Sequence, residues 1–243
     1  MTVHPQAMMT PIGLIGGMSA ESTALYYARL NQLARERFGG LHSAEIVMWS
    51  VDFAPVAEWQ ADGDWARAGA LLADFAGRLE RAGAGVIVLA TNTMHKVAPE
   101  IEAAIGVPFV HIADATGEAV RRAGFSRPGL MATRFTMEED FYVGRLAKAH
   151  GLDVIVPEAE DRAQTHRVIY DELCKGEIRE ASREAYQRIA ERLVERGADC
   201  LILGCTEVGL LLDQSNAPAP VFDTTSIHAA EAFDVACGQK VTA

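Results

Sequence analysis

Two stretches of the sequence share one design, and this repetition constrains the fold more than any other feature. Residues 83–95 and 196–208 each pass from the end of a helical segment through glycine into a short apolar run. Thr91 follows the first run, and Cys205 follows the second, 114 positions later (205 minus 91). Other glycine-rich and apolar pieces recur at about the same offset. Repetition of this kind predicts two similar halves of a little over 100 residues each.

Short apolar runs alternate with amphipathic segments along the chain, as is typical of an α/β fold with parallel sheets. We predict two pseudo-symmetric parallel-sheet α/β halves with the active site in the cleft between them. The turn signal at residues 126–129 places the boundary, giving residues 1–126 and 127–243, with the C-terminal helix able to pack back on the first half. The main expected strands are 11–18, 44–52, one between Gly83 and Thr91, 107–112, 130–133, 153–156, 200–203 and 221–223. The main expected helices are 20–38 with Ser19 or Ser22 as N-cap, 55–82 with a break near 61–64, 96–105, one entered at Asp114 or Thr116, 158–195 with a break at Gly176, and a last helix ending at Ala236.

Composition excludes several classes of function. The chain has 243 residues, 49% of them apolar, which is enough for a substantial core. A formal charge of -11 argues against binding to a phosphate backbone. There is neither an apolar run of membrane-spanning length nor a basic signal-peptide region at the N-terminus. We expect a soluble cytoplasmic protein without nucleic-acid or membrane partners.

The four cysteines lack metal-ligand spacing and do not suggest a disulfide framework, so we expect no bound metal. Cys174, Cys200 and Cys237 are interpreted as small apolar residues on buried faces. Cys205 differs because it follows a strand, and ligands of open α/β sheets bind at the carboxyl ends of the strands. A helix N-terminus nearby lowers the pKa of a thiol, which would let Cys205 take or give a proton near neutral pH.

Short polar residues follow several predicted strands. Asn92, Thr93, Thr133 and Thr206 would each cap a helix singly, and together they would form a carboxylate cradle. Two other kinds of site find little support. The turn Gly16–Ser19 has G-x-x-G-G spacing, which is not the dinucleotide fingerprint. A cysteine hydrolase would pair Cys205 with a histidine, and no hydrolase signature surrounds the histidines.

Three motifs resemble the signature segments of the cofactor-independent aspartate/glutamate racemase family in order and spacing. They are Gly16-Gly-Met-Ser19, Thr91-Asn-Thr-Met-His95 and Gly204-Cys-Thr-Glu207. The resemblance implies two α/β halves, an active site between them, a homodimer, and an amino-acid substrate. It also implies racemisation without pyridoxal phosphate or metal, in which two thiols face opposite sides of the substrate Cα.

The resemblance assigns roles residue by residue. Cys205 matches the second-half acid/base, and Thr91 stands where the family has its first cysteine. An alkyl hydroxyl is a far weaker acid than a thiol, so we expect slower or directionally unequal turnover. Lys175 falls at the position of a lysine that meets an acidic side chain of the substrate. The other residues matched to substrate binding are Met18, Ser19, Asn92, Thr93, Thr133 and Thr206.

Three functions remain open from the sequence. The first is racemisation of aspartate, glutamate or a related amino acid. The second is a single-cysteine decarboxylase or isomerase of the same superfamily, which needs only one proton donor. The third is a non-catalytic amino-acid-binding protein. Residues 51–65 contain no convincing match for an arginine that would hold a distal carboxylate, which weakens the case for strict aspartate or glutamate preference.

Overall fold

The computed structural model describes residues 9–239, which form seven β-strands and ten α-helices. Short 3-10 helices cover Thr93–Val97, Leu173–Lys175 and Thr206–Leu210. The strands are β1 Ile12–Gly16, β2 Ile46–Ser50, β3 Val86–Leu89, β4 Phe109–Val110, β5 Pro128–Ala132, β6 Cys200–Gly204 and β7 Val221–Asp223. The helices are α1 Ala20–Phe38, α2 Phe53–Asp62, α3 Trp65–Arg81, α4 Ala98–Ala103, α5 Ile112–Arg122, α6 Arg134–Glu138, α7 Val143–His150, α8 Ala159–Asp171, α9 Glu180–Glu195 and α10 Thr224–Ala236.

The described residues divide into two compact units, each with its own parallel sheet. The first unit contains residues 9–90, Val97–Val110 and residues 229–239. The second unit contains Thr91–Lys96 and His111–His228. The strand order is β2-β1-β3-β4 in the first sheet and β5-β6-β7 in the second. The fold is therefore mixed α/β with parallel strands, as the alternation of apolar runs and helices predicts.

In the first unit, helices pack on both faces of the sheet. Successive side chains of a strand point to opposite faces, so the residues of β1 contact helices on one face and on the other in turn. Ile12 and Leu14 of β1 share a buried cluster with Leu30 of α1 and with Phe233 of α10. On the opposite face α3 approaches Gly13, where an added Cβ would lie 3.2 Å from the Cβ of Leu79. Strands covered on both faces are apolar at every position, which explains the run from Ile12 onward.

The second unit is built in the same way around β5 and β6. Leu201 and Leu203 of β6 pack in one cluster with Leu193 of α9. The alternate residues of β6, Cys200 and Ile202, pack in another cluster with residues of α5 and α7. The interpretation of Cys200 as a buried apolar residue is confirmed.

The compact units differ from the halves predicted from the sequence. Apart from the segment Thr91–Lys96, the chain passes from the first unit to the second between Val110 and His111, and α5 packs through Ile112 and Val120 with the second sheet. At the C-terminal end, residues 229–239, which include the end of the helix that the sequence analysis allowed to pack back on the first half, group with the first unit.

Several predicted elements are shorter or begin elsewhere. The strand expected at 153–156 is a single bridge between Gly129 and Ile155. The turn expected at 126–129 overlaps β5, which begins at Pro128. The strand expected at 107–112 is limited to Phe109–Val110, because the His111 side chain accepts a hydrogen bond from the backbone of Ala113 and starts α5 there. Helix α1 with Ser19 as its N-cap is confirmed, since Ser19 accepts a hydrogen bond from the backbone N–H of Ser22.

Candidate active site

The carboxyl edge of the second sheet gathers three polar side chains. In the paired strands Ala132 lies opposite Gly204, and Leu203 lies opposite Asp223. The residues that follow the three strands are Thr133, Cys205 and Thr224. The strand register therefore brings all three to one edge, which is where ligands bind in open parallel sheets.

The segment Thr91–Lys96 lies against this edge. The Thr93 hydroxyl is 2.9 Å from the Thr133 hydroxyl, and Thr136 lies 3.2 Å from Thr133, so that three buried hydroxyls form one cluster. The Nδ2 of Asn92 donates to the Thr224 hydroxyl at 3.1 Å. Of the residues singled out from the sequence, Thr93 and Thr133 are thus in direct contact, and Asn92, next to Thr93 in the chain, reaches the same edge through Thr224.

His95 fixes the backbone of Thr91. Its Nε2 accepts a hydrogen bond from the backbone N–H of Ile112 at 3.2 Å, so the hydrogen of the ring lies on Nδ1. Nδ1 is 2.7 Å from the carbonyl oxygen of Thr91 and donates to it. The ring also contacts His111 and His228. In this position His95 links the Thr91 backbone to the start of α5, and both of its ring nitrogens take part in that link.

Cys205 is paired with a buried carboxylate that the sequence analysis did not single out. Its Sγ donates to Oε2 of Glu207 at 2.9 Å, and Glu207 is only 3% exposed. The other oxygen, Oε1, accepts a long hydrogen bond from Sγ of Cys174 at 3.9 Å. The Glu207 carboxylate therefore accepts hydrogen bonds from two thiols, those of Cys205 and Cys174. Cys174, interpreted from the sequence as apolar filler, is half-buried and has a polar contact.

Burial, the Glu207 carboxylate and the neighbouring Cys174 raise the pKa of Cys205 well above its usual value. The expectation of a lowered pKa is wrong in its net direction, because a hydrogen bond from the backbone N–H of Glu207 lowers the pKa of Cys205 but is outweighed. The helix that follows Cys205 is a 3-10 segment of five residues, whereas the desolvation and the carboxylate act directly on the sulfur. The thiol is therefore protonated at neutral pH, and in this state it is a proton donor.

The remaining predicted residues lie at separate places. Thr91 and Thr206 are buried in the second unit. Lys175 ends the 3-10 helix that carries Cys174, and it is exposed. Met18 and Ser19 belong to the first unit, where both are buried and Ser19 caps α1. That any of these residues contacts a ligand stays a prediction.

Three residues near Cys205 were missed by the sequence reasoning. Glu207 was read only as part of a motif, because nothing in a sequence says that a carboxylate is buried. Cys174 had no signal at all. Thr224 had one, because it follows a predicted strand just as Thr133 does.

No cluster of three or more histidine, cysteine, aspartate or glutamate side chains suited to a metal ion occurs within residues 9–239. Among the described helices, none combines the length and apolar character needed to cross a membrane.

Comparisons with known proteins agree with the α/β fold, and the matched region includes Cys205 and the residues around it. A family model described as Asp/Glu/hydantoin racemase matches residues 15–232. The crystal structure of a candidate Asp/Glu racemase from Yersinia pestis is 52% identical, with a TM-score of 0.87 over 94% of this chain and 99% of that one. An aspartate racemase homologue from Pyrococcus horikoshii is 34% identical, with a TM-score of 0.81 over 94% of this chain and 99% of that one. The broad-specificity amino-acid racemase RacX of Bacillus subtilis is 22% identical over 88% of this chain and 93% of RacX.

Proposed function

Because the chain belongs to the Asp/Glu/hydantoin racemase family, we propose that it interconverts the enantiomers of aspartate, glutamate or a related amino acid. Family membership supports amino-acid racemase or related isomerase activity. The finer proposal is that the reaction needs neither pyridoxal phosphate nor a metal ion. In it Cys205 is the main acid/base, and Thr91 is its weaker partner on the opposite face of the substrate.

The single observation that carries this proposal is the hydrogen bond from Cys205 to Glu207. A carbon acid such as the α-position of an amino acid needs a base to remove its proton and an acid to return one. The raised pKa keeps the proton on Cys205, so the resting thiol is ready to donate. When Cys205 must act as the base, its proton passes to Glu207 across the 2.9 Å contact and leaves a thiolate.

The proposed steps differ between the two directions. In one direction the Cys205 thiolate removes the α-proton, the electrons of the C–H bond stay on the substrate, and Thr91 delivers a proton from water to the other face. The hydroxide left from that water is neutralised by the proton held on Glu207, which restores the resting state. In the reverse direction water and Thr91 remove the proton, the Cys205 thiol donates its own, and the proton taken up by water returns through solvent to the Cys205 thiolate. Because a thiol ionises far more readily than an alkyl hydroxyl, the two half-reactions have unequal rates.

Substrate binding is proposed for the residues around these groups. The hydroxyls of Thr93, Thr133 and Thr206 would hold the α-carboxylate, which accepts hydrogen bonds only. Asn92 would contribute to the α-amino end, and Lys175 would meet an acidic side chain. Met18 and Ser19 would complete the substrate contacts. The names of the relatives support an amino-acid substrate, since RacX is a broad-specificity amino-acid racemase. We further propose a cytoplasmic homodimer, which size-exclusion chromatography with light scattering and fractionation of the source cells would test.

The test is a screen of all amino acids, each as both enantiomers, followed by chiral chromatography. We expect conversion of aspartate, glutamate or a close relative in both directions, with unequal initial rates at saturating substrate. Release of carbon dioxide from a substituted malonate without any exchange of enantiomers would replace the racemase proposal by the decarboxylase. A ligand that raises the melting temperature and is recovered unchanged would leave only a binding function.

A further inference from the structure

Thr224 is a fully buried residue that links Asn92 to β6, the strand that Cys205 follows. It is the first residue of α10 and directly follows β7. Its hydroxyl donates to the carbonyl oxygen of Leu203 at 2.8 Å. A threonine hydroxyl has one hydrogen, so the oxygen that faces Asn92 can only accept.

This arrangement fixes which way the amide of Asn92 points. The Nδ2 of Asn92 must face the Thr224 oxygen, and it does so at 3.1 Å. The amide oxygen Oδ1 is then directed elsewhere, and it is buried without a hydrogen-bond partner among the described residues. Asn92 is only 4% exposed. A buried acceptor left unpaired is costly and rare in folded proteins, so a donor group is expected to meet it in the working state.

The donor that fits is a cation with N–H groups. A carboxylate has acceptors only and would be repelled by the amide oxygen, whereas an ammonium group has three donors and no acceptor. A flipped amide would present its NH₂ group to that ammonium, and the interaction would be lost. The orientation of one amide therefore decides which end of an amino acid can lie against Asn92.

We infer that Thr224 is a positioning residue that holds the amide of Asn92 with its carbonyl oxygen toward the substrate, where it accepts a hydrogen bond from the α-ammonium group. The inference rests on the proposed function and resolves which end of the substrate Asn92 meets. The Thr224 hydroxyl is itself held by the carbonyl oxygen of Leu203, which lies two residues before Cys205 in the chain. The hydrogen-bond chain from Asn92 through Thr224 therefore ends on Leu203 of β6, the strand that Cys205 directly follows.

The test compares Thr224→Val with Thr224→Ser. Valine has nearly the shape of threonine and lacks the hydroxyl, while serine keeps it. The ligands are the amino acid that reacts best in the screen and its analogue without the amino group, which is succinate for aspartate and glutarate for glutamate. Calorimetry measures both dissociation constants, and kinetics separate KM from kcat.

For Thr224→Val we expect the amino acid to bind about 10- to 100-fold more weakly, the range of one hydrogen bond to a charged group. Binding of the desamino analogue and kcat should change by less than about threefold. Thr224→Ser should restore amino-acid binding to within about threefold of the wild type. If the valine variant is insoluble, Thr224→Ala is measured with the same expectations.

Equal weakening of both ligands would overturn the inference, because it would indicate general damage to the site. So would unchanged amino-acid binding in the valine variant, or a serine variant as weak as the valine one. Failure of the inference alone is distinguishable from failure of the proposed function. In the first case the wild type still exchanges enantiomers, and in the second it binds no amino acid or leaves it unchanged.

Discussion

Replacing Glu207 by glutamine tests whether this residue takes the proton of Cys205. Glutamine has the same size and keeps an oxygen that can accept the hydrogen bond, so the buried contact can form without the negative charge. It cannot take up a proton. In the wild type the acceptor lies 2.9 Å from the sulfur, and transfer needs no rearrangement. In the variant the proton of Cys205 must leave to the solvent before the thiolate can act.

The expected effect follows from the value of a positioned proton acceptor. Such a group contributes about 10²- to 10⁴-fold to a rate, so we expect α-proton removal by Cys205 to fall about 100-fold at neutral pH. This corresponds to about 2.7 kcal/mol of barrier at about 1.36 kcal/mol per tenfold. The loss should be smaller for α-proton removal by Thr91, which does not use Cys205 as the base.

The pH dependence of the rate of α-proton removal provides a second test of the role of Glu207. Burial, the Glu207 charge and Cys174 raise the pKa of the thiol, and removal of the Glu207 charge lowers that pKa toward its usual value. Below the pKa of the thiol, the thiolate population of the variant rises about tenfold per pH unit, and its rate should rise in proportion. The wild type carries its own acceptor, so its rate should vary little over the same range.

The assay follows deuterium entering the α-position of each enantiomer in heavy water by NMR, as a function of pH. Cys174→Ala is the matched control, because it removes only the 3.9 Å contact to the other oxygen of Glu207 and leaves the Cys205 contact in place. Circular dichroism and thermal unfolding verify the fold of each variant. A glutamine variant with a wild-type rate and a flat pH profile would refute the reasoning.

Three further predictions concern Thr91, His111 and Cys200. Thr91→Cys should increase exchange on the slower face about tenfold or more, because a thiol is the better acid; chiral chromatography of initial rates measures it, and an unchanged rate would separate Thr91 from the chemistry. Burial, followed by the charges of Arg145 and other histidines, lowers the pKa of His111 to about 3. The unfolded chain therefore binds a proton below about pH 6.5 that the folded chain does not. As the pH is lowered from there, the free energy of unfolding should fall by about 1.4 kcal/mol per pH unit more in the wild type than in His111→Asn, a control that keeps a helix cap. Urea unfolding at several acidic pH values tests this, and parallel curves for the two proteins would disprove it. Burial and Asp199 raise the pKa of Cys200, so the unfolded thiol ionises first and stability should fall as pH rises above about 9, less steeply in Cys200→Ala; alkaline urea unfolding measures the difference, and equal slopes would contradict it.

The elements that the sequence predicted well are those with strong local signals. Helix α1 begins after a serine cap and runs over the predicted residues, and β7 has its predicted bounds. Cys205 follows a buried strand as expected. In each case an apolar run or periodic segment is bounded by a residue with one clear conformational role. Short segments with competing partners were less predictable, as the single bridge at Ile155 illustrates.

The site was predictable in its positions and not in its electrostatics. Residues after parallel strands meet at one edge by topology alone, which brought Thr133 and Cys205 into the candidate set. Whether a carboxylate turns inward beside a thiol depends on packing that the local sequence does not encode. For this reason the sequence predicted a lowered pKa for Cys205 where the structure raises it, and the hydrogen bond from Cys205 to Glu207 was missed.

The central claim is that the sulfur of Cys205 moves the α-proton. Cys205→Ser keeps a hydrogen-bonding side chain of similar shape and replaces the thiol by a much weaker acid. The most direct measurement is the rate of deuterium incorporation at the α-carbon of L- and D-aspartate or glutamate in heavy water, for the wild type and this variant. We predict measurable incorporation by the wild type and a loss of about 1,000-fold or more in the serine variant. Incorporation at an undiminished rate in the folded serine variant would contradict the account.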